Sequence, residues 1–591
     1  MKPTLNNQSR RAVGTAGMLL PLLAIFGVAY VLPLVNLVAS SFMDVNGLTF
    51  ASYLGELSSR SFGAIMVRTI WLSVVVTGLC ILLAYPVAYS ISRLKGQAAT
   101  ALLLVVSIPY FTSILIRTYA WIVVLSPNGV VNQLLRRLDL TSAPIPLVFN
   151  NIGVYVGMVQ VQLPLMIFPL YAVMSRIDRS YTAAAVNLGS SPAGAFWNVF
   201  VPLSMPGVVG GATLVFLSCL GFYVTPALLG GPGNYMLSQG ISLRVLRLAD
   251  FGGAATQATL LLALVVTLFV LLRKRIAAEL VDTPATLGGT SAKGLRRSTV
   301  AGEFLARRFA PIGRVFGNVL TIVRRPLLAL ITTLVLLYLI VPLLVVIPLA
   351  FSDAAYLTFP PPGYSLRWFD SFFSNRQWVE ATWFSLKVGG IAAIASLLVG
   401  VPAAFAIVRR PMVFRVPLYL LMISPLVVPQ VVVAVALYFS LAKARLVGTE
   451  ISFVLAYMLL GVPYVVVVFI SGLRRFDRGL EIAASSLGAN AVSVLRTVTF
   501  PLLIPTIASA LLFAFIVAFD DVVFGLFLSG RQATPLPMRM MDNLRLEISP
   551  QIAVVAVLLF SALAAVYLTQ LGLSLTITRR RNSQGKNSNG R

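Results

Sequence analysis

The chain has 591 residues, of which 58% are hydrophobic and only 11% charged, against roughly 45–50% and about 25% in an ordinary soluble domain. With a mean hydropathy of +0.92, too few charges remain to cover a water-soluble fold of this size, which points to an integral membrane protein and argues against disorder or nucleic-acid binding. The net charge of +27 is then explained by Lys and Arg flanking apolar spans rather than by a polyanionic partner.

The chain has no histidine, and its two cysteines, Cys80 and Cys219, fall inside apolar runs. That removes His-based acid–base chemistry, His metal ligation, a thiolate metal site and a disulfide framework.

A bilayer-spanning helix needs about 20 mostly apolar residues. Twelve such segments are predicted, near 16–40, 63–92, 100–125, 151–173, 204–228 and 254–273, then 326–350, 383–408, 413–441, 452–473, 503–528 and 551–574. Several carry proline, including Pro86, Pro109, Pro164, Pro402, Pro425 and Pro463; membrane helices tolerate this because neighbouring helices satisfy the freed backbone groups. Ser9-Arg10-Arg11 reads as the basic flank of an uncleaved first span. Basic loops at Arg93–Lys95, Arg176–Arg179, Arg409–Arg410, Arg474–Arg478 and Arg579–Arg581 place both termini in the cytoplasm. The stretch 276–325 reads as a solvated cytoplasmic linker. It holds Lys293-Gly294 but no G-x-x-x-x-G-K-[ST] pattern, so it is not a nucleotide loop. The tail from 579 to 591 is polar and is expected to be disordered.

The two halves are copies. Arg176-Ile-Asp178-Arg179 recurs as Arg475-Phe-Asp477-Arg478, displaced by 299 positions, and the same displacement pairs Pro164 with Pro463, Gly189 with Gly488, Pro202 with Pro501 and Pro206 with Pro505. In the second and third spans the displacement is 316: Pro86-Val-Ala-Tyr89 followed by Arg93 meets Pro402-Ala-Ala-Phe405 followed by Arg409, and Pro109 meets Pro425. Each half has an even number of spans, so the repeats run parallel, related by an axis along the membrane normal. The expected organisation is a first repeat over 1–275, a linker over 276–325, a second repeat over 326–578 and a tail over 579–591.

Between spans four and five the halves read RIDRSYTAAAVNLGSSPAGAFWNVFVPLSMPG and RFDRGLEIAASSLGANAVSVLRTVTFPLLIPT. This resembles the EAA loop of binding-protein-dependent ABC importer permeases. Ala184-Ala185 precede Gly189 and Pro202; Ala483-Ala484 precede Gly488 and Pro501. A short Ala-rich helix ending at a glycine suits a docking element that a partner can approach closely. In that family the loop sits in a cleft of the ATPase subunit, so the resemblance implies docking at 183–202 and 482–501. The family's acidic position is occupied by Ala183 and Ile482, with Glu481 one place early.

Two further stretches are similar to the spermidine/putrescine permease group. One is Pro109-Tyr-Phe-Thr-Ser-Ile-Leu-Ile-Arg117-Thr118-Tyr119-Ala-Trp121, similar to that group's first permease subunit; the other is Ala518-Phe519-Asp520-Asp521, similar to its second. The chain thus resembles both subunits fused. The resemblance implies an all-α membrane protein of 12 transmembrane helices in two parallel six-helix repeats, of the type I importer permease class. It implies a polyamine-like cation as solute, with ferric iron, phosphonate, opine or thiamine as alternatives. Expected partners are two copies of an ABC ATPase that bind the ATP and magnesium, a soluble binding protein and the lipid bilayer of the inner membrane. No cofactor, metal, nucleic acid or enzymatic activity is expected in this chain.

Asp520 and Asp521 are the candidate cation ligands. Carboxylates within a membrane usually face a cavity or a partner, and adjacent helical residues point about 100° apart, so at most one of the two faces a narrow pathway. The competing reading is structural, as a cap or a partner of Arg117 or Lys387. Arg117 itself is expected to snorkel, and Tyr119, Trp121, Phe222 and Tyr223 either line the pathway or form an interfacial belt. An ion-gradient-driven secondary carrier is the alternative class, but its basic Gly-rich loop after span two is replaced here by the short Ser92-Arg93-Leu94-Lys95-Gly96.

Overall fold

The computed structural model describes residues 17–44, 47–280, 326–355, 358–410, 412, 414–531, 533–546 and 549–562. The first half comprises α1 (Gly17–Ser41), α2 (Arg60–Arg93), α3 (Gln97–Tyr110), α4 (Ile114–Leu125), α5 (Asn151–Met174), α6 (Arg179–Asn187), α7 (Val201–Leu220), α8 (Val224–Leu229), α9 (Leu237–Leu246) and α10 (Phe251–Leu280). The second repeats that order: α11 (Pro326–Ala350), α12 (Arg376–Arg409), α13 (Arg415–Val427), α14 (Gln430–Lys443), α15 (Glu450–Arg475), α16 (Arg478–Ser486), α17 (Phe500–Phe519), α18 (Val523–Leu528), α19 (Leu536–Leu546) and α20 (Gln551–Ala562). Among the described residues the only sheet is the hairpin of Met43–Asp44 with Gly47–Leu48.

Polar caps fix where the long helices begin. Asn150 accepts the Gly153 N–H at 3.1 Å before α5, and Thr449 accepts the Ser452 N–H at 3.3 Å before α15. Within each half, α2, α5 and α7, or α12, α15 and α17, pack side by side as the core.

The expected twelve spans are not all continuous helices. Among the described residues ten helices are long and apolar enough to cross a membrane, or eleven when α13 and α14 count as one span bent by 97°. The third span of each half is broken. Val428, which precedes Pro429, is extended at φ −69° and ψ 131°, as the pyrrolidine ring demands of the residue before it; in the first half the break falls at Ser113, extended at φ −49° and ψ 134° with no proline after it. Spans five and eleven end at Leu220 and Phe519, and the remaining apolar residues fold separately as α8 and α18. Of the expected twelfth span, 563–574 lies outside the described residues, as do the tail and most of the linker.

Each half lends its first helix to the other. α1 packs between α10 of its own half and α14 of the other, and its Gly27–Val31 turn touches α15. Reciprocally, α11 lies on the first half: the Thr332 hydroxyl donates to Ser90 Oγ at 2.9 Å, the Tyr338 hydroxyl to the Val156 carbonyl at 2.5 Å, and Gln160 Nε2 to the Leu339 carbonyl at 3.1 Å. Such buried bonds contribute about 0.5–1.5 kcal/mol each, and they join the halves independently of the covalent linker. Halves cut between residues 300 and 301 and expressed together should therefore copurify in mild detergent through a tag on one of them; recovery of the tagged half alone would contradict the exchange.

Candidate functional site at the seam and on the paired loops

The broken helices meet at the seam between the halves. A helix start presents unpaired backbone N–H groups and partial positive charge. At the start of α4 one of these is taken up across the seam: the Ile114 N–H donates to Asp520 Oδ2 at 3.2 Å. By the repeat, Asp520 corresponds to Gly221 and Ser113 to Pro429. The junction therefore occurs twice, in different chemistry. A Cβ on Gly221 would fall 2.6 Å from Pro429 Cβ and 3.0 Å from its Cα, so here backbone rests directly on proline, where the other junction uses a carboxylate.

Arg117, on the first turn of α4, is 5% exposed, so it is buried at the seam rather than snorkelling. Its charge acts on Asp520, while its Nε and Nη1, Asp520 Oδ1 and Ser113 Oγ have no hydrogen-bond partner among the described residues. Asp521 is buried too and faces another way. Its Oδ2 accepts the Phe524 N–H at 2.9 Å at the start of α18, and the Gln430 side-chain amide, from the first residue of α14, donates to its Oδ1. Lys387 pairs with Glu450 at 2.7 Å and not with the acids.

Tyr119, Trp121 and Tyr223 are buried and Phe222 is half-buried, so they do not form a lipid-facing belt. Two of them bridge the halves through hydrogen bonds: the Tyr119 hydroxyl donates to the Ser549 carbonyl at 3.4 Å, and Arg545 Nη2 donates to the Tyr223 hydroxyl at 2.7 Å. Trp121 packs on Tyr338 of α11, with ring centroids 5.2 Å apart. The sequence reading missed Gln430 and Arg545. It also missed the chain of rings Phe168, Tyr110, Phe111 and Phe513, 5.5 to 6.4 Å apart, which crosses the seam beside the α3 break. Gln430 was findable, since it follows Pro429 at the position that the repeat pairs with Ile114.

The paired loops match closely. Asp178 accepts the Ser180 N–H at 2.9 Å and starts α6; Asp477 accepts the Gly479 N–H at 2.8 Å and starts α16. The Ser180 N–H holds the Asp178 carboxyl below its ordinary range. Both helices end on glycine in the left-handed region, Gly189 at φ +89° and Gly488 at φ +88°, as expected of a C′ residue. The Ser190 N–H then returns to the Ala185 carbonyl at 3.0 Å, and the Ala489 N–H to the Ala484 carbonyl at 3.2 Å. This geometry thrusts Leu188 and Leu487 outward, each 89% exposed. Pro202 and Pro501 each follow a five-residue π-helical turn, Phe196–Phe200 and Leu495–Thr499, inside helices that run on from Pro192 to Leu220 and from Ala491 to Phe519, so each loop runs into its span without a break.

The Gly221–Pro429 contact has a direct test. Gly221→Val adds atoms where backbone already touches, and overpacking of this kind costs about 1–3 kcal/mol; it should lower the thermal midpoint in detergent. Gly390→Ala, where nothing lies within 4 Å, should not lower it. Equal midpoints for the two variants would refute the close packing.

Residues 14–281 and 396–577 match the family described as binding-protein-dependent transport system inner membrane component. The Escherichia coli K12 spermidine/putrescine transport system permease protein PotB is 29% identical over 261 residues, 42% of this chain and 95% of PotB. Its Haemophilus influenzae counterpart is 31% identical over 247 residues, 40% of this chain and 86% of that protein. The E. coli K12 putrescine transport system permease protein PotI is 32% identical over 256 residues, 42% of this chain and 91% of PotI. Among solved structures, a bacterial alginate ABC transporter in complex with alginate pentasaccharide-bound periplasmic protein is similar at 20% identity and a TM-score of 0.39, covering 48% of this chain and 100% of that one. The named relatives are permease subunits of about half this chain's length, and the work of such a subunit is transport rather than catalysis. With its family matched in both halves, the chain belongs to the binding-protein-dependent inner membrane transport components and is a multi-pass permease of an ABC importer.

Proposed function

We propose that this permease passes a polyamine-like cation along the seam between its halves, and that Asp520 and Asp521 recognise it. The observation that carries this reading is the charge at the seam: two carboxylates, Asp520 half-buried and Asp521 buried, stand against one buried guanidinium, Arg117. Each charge at membrane depth costs about 2.5–3.5 kcal/mol on insertion scales, and a net negative site favours a cation over an anion or a neutral sugar. The relatives named for spermidine and putrescine support the same solute class. Tyr119, Phe222 and Tyr223 complete the proposed lining.

The loops carry the drive. A separate ATPase, in two copies, grips 183–202 and 482–501, with Ala184, Ala185, Gly189, Ala483, Ala484 and Gly488 giving close approach and Leu188 and Leu487 the apolar contact. This end faces the cytoplasm together with both termini, as the basic residues beside α2, α5, α12 and α15 favour. ATP and magnesium bind to the partner alone. A soluble binding protein delivers the solute at the opposite face, and drawing the loops together opens the seam there, so that access alternates between the two sides. The repeats extend over 1–275 and 326–578, joined by a linker over 276–325 and followed by a tail over 579–591.

Substitutions at Asp520 separate charge recognition from capping, because asparagine caps a helix about as well as aspartate and alanine does not. With the assembled importer in liposomes, Asp520→Asn should lower spermidine uptake about tenfold, the equivalent of ~1.4 kcal/mol, with thermal stability nearly unchanged. Asp520→Ala should lower both. Normal uptake by Asp520→Asn and Asp521→Asn would remove the basis for a cationic solute.

A further inference from the structure

The repeat sets the same three positions around each loop helix. Around α16 they are Glu481 on the helix, Arg409 at the end of α12 and Thr499 at the root of α17; around α6 they are Thr182, Arg93 and Phe200. The two triplets do different things.

In the second half Glu481 turns inward. Arg409 Nη1 lies 3.0 Å from its Oε2, Arg409 Nη2 donates to its Oε1 at 3.1 Å, and the Thr499 hydroxyl donates to the same Oε1 at 2.8 Å. The ion pair is mostly shielded, its side chains 15% and 24% exposed. A two-pronged guanidinium–carboxylate pair fixes direction as well as distance. One carboxylate thereby ties α16 to the end of α12 and to the root of α17. The outward position one residue later is Ile482, 65% exposed, so the acid of this loop is directed into its own chain and not toward a partner.

In the first half no carboxylate is available. The Thr182 hydroxyl turns back to the Arg179 carbonyl at 3.0 Å. The Arg93 guanidinium lies over the Tyr89 and Phe200 rings, 4.9 and 5.0 Å from their centroids. The helix reaches α2 through Arg179 Nη2 on the Arg93 carbonyl at 2.7 Å, an exposed bond to a neutral acceptor. The aromatic cage fixes Arg93 to the root of α7; α6 packs against that root but contributes no carboxylate to it.

We propose that Glu481 is a positioning residue that makes the second loop the stiff member of the pair, so that the two ATPase copies act through handles of unequal rigidity. A push on α16 moves α12 and α17 together. A push on α6 is partly absorbed by pivoting about its root. This rests on the reading of the loops as ATPase docking elements, but the stiffness itself belongs to this chain and is measurable without the ATPase.

Backbone amide exchange of the full chain in nanodiscs, corrected for intrinsic rates, tests it. Exchange across 478–486 should be slower than across 179–187, and Glu481→Gln should raise it by about tenfold. The double variant Glu481→Gln with Arg409→Gln should exchange no faster than either single variant. Thr182→Glu with Phe200→Thr should slow the first loop, which keeps the test open should the loss variants fold poorly. In the assembled importer, Glu481→Gln should lower the solute moved per ATP hydrolysed while hydrolysis continues, whereas a merely structural role would lower both together. Equal exchange in the two wild-type loops, or an unchanged rate and an unchanged ratio in Glu481→Gln, would overturn the proposal. Failure of the docking reading is separable: it would appear as wild-type loops that differ in exchange in a chain that retains no ATPase.

Discussion

A helix broken inside a bilayer frees backbone groups that lipid cannot satisfy, and this protein breaks one in each half. How those breaks are closed decides much of the architecture. At α4 an N–H freed by the break is satisfied from the opposite half, by Asp520, so the integrity of the first half's broken span depends on the second half's span eleven. At α14 the N–H equivalent to that of Ile114 belongs to Gln430, and the residue before it, Pro429, lies directly against Gly221. Both junctions bind the halves at the same level of the bundle, and the exchange of α1 and α11 reinforces them from outside.

Duplication supplies two equivalent frames, and function is built where they diverge. The frames coincide in the loop helices, down to the paired aspartate caps and the two left-handed glycines. They diverge at the seam, where glycine faces proline in one copy and a carboxylate faces a helix start in the other. They diverge again at the loop roots, where Arg93 stacks on rings and Arg409 holds a carboxylate. A symmetric pore would present the same groups to a solute from both sides. At the seam the second half presents Asp520 and Asp521 and the first half Arg117.

Much of this was legible in the residues. Composition required a membrane protein, and the displacements of 299 and 316 located corresponding positions to the residue, including those now seen to touch at the seam. The Gly189 and Gly488 spacing foretold the left-handed helix ends. The breaks were harder. Apolar content is continuous through 100–125 and 503–528, and hydropathy cannot tell a straight span from a re-entrant one; only the proline at 429 and the adjacent acids hinted otherwise. Arg117 was misread for the same reason, because a terminal position on a continuous span favours snorkelling, whereas the first turn of a broken helix directs the side chain into the seam. The inward turn of Glu481 had no local signal, since Arg409 and Thr499 approach it from distant parts of the chain.

In the proposed function, two matching handles drawn together from outside open the seam at which Asp520 meets Ile114. The test is the distance between spin labels at Tyr181 and Leu480, which correspond in the repeat and are exposed on the two loop helices, in the importer assembled with its ATPase, with and without a non-hydrolysable ATP analogue. A shorter distance is expected when the nucleotide is bound, together with loss of contact between Ile114 and Asp520. An unchanged distance in a complex that transports normally would contradict it.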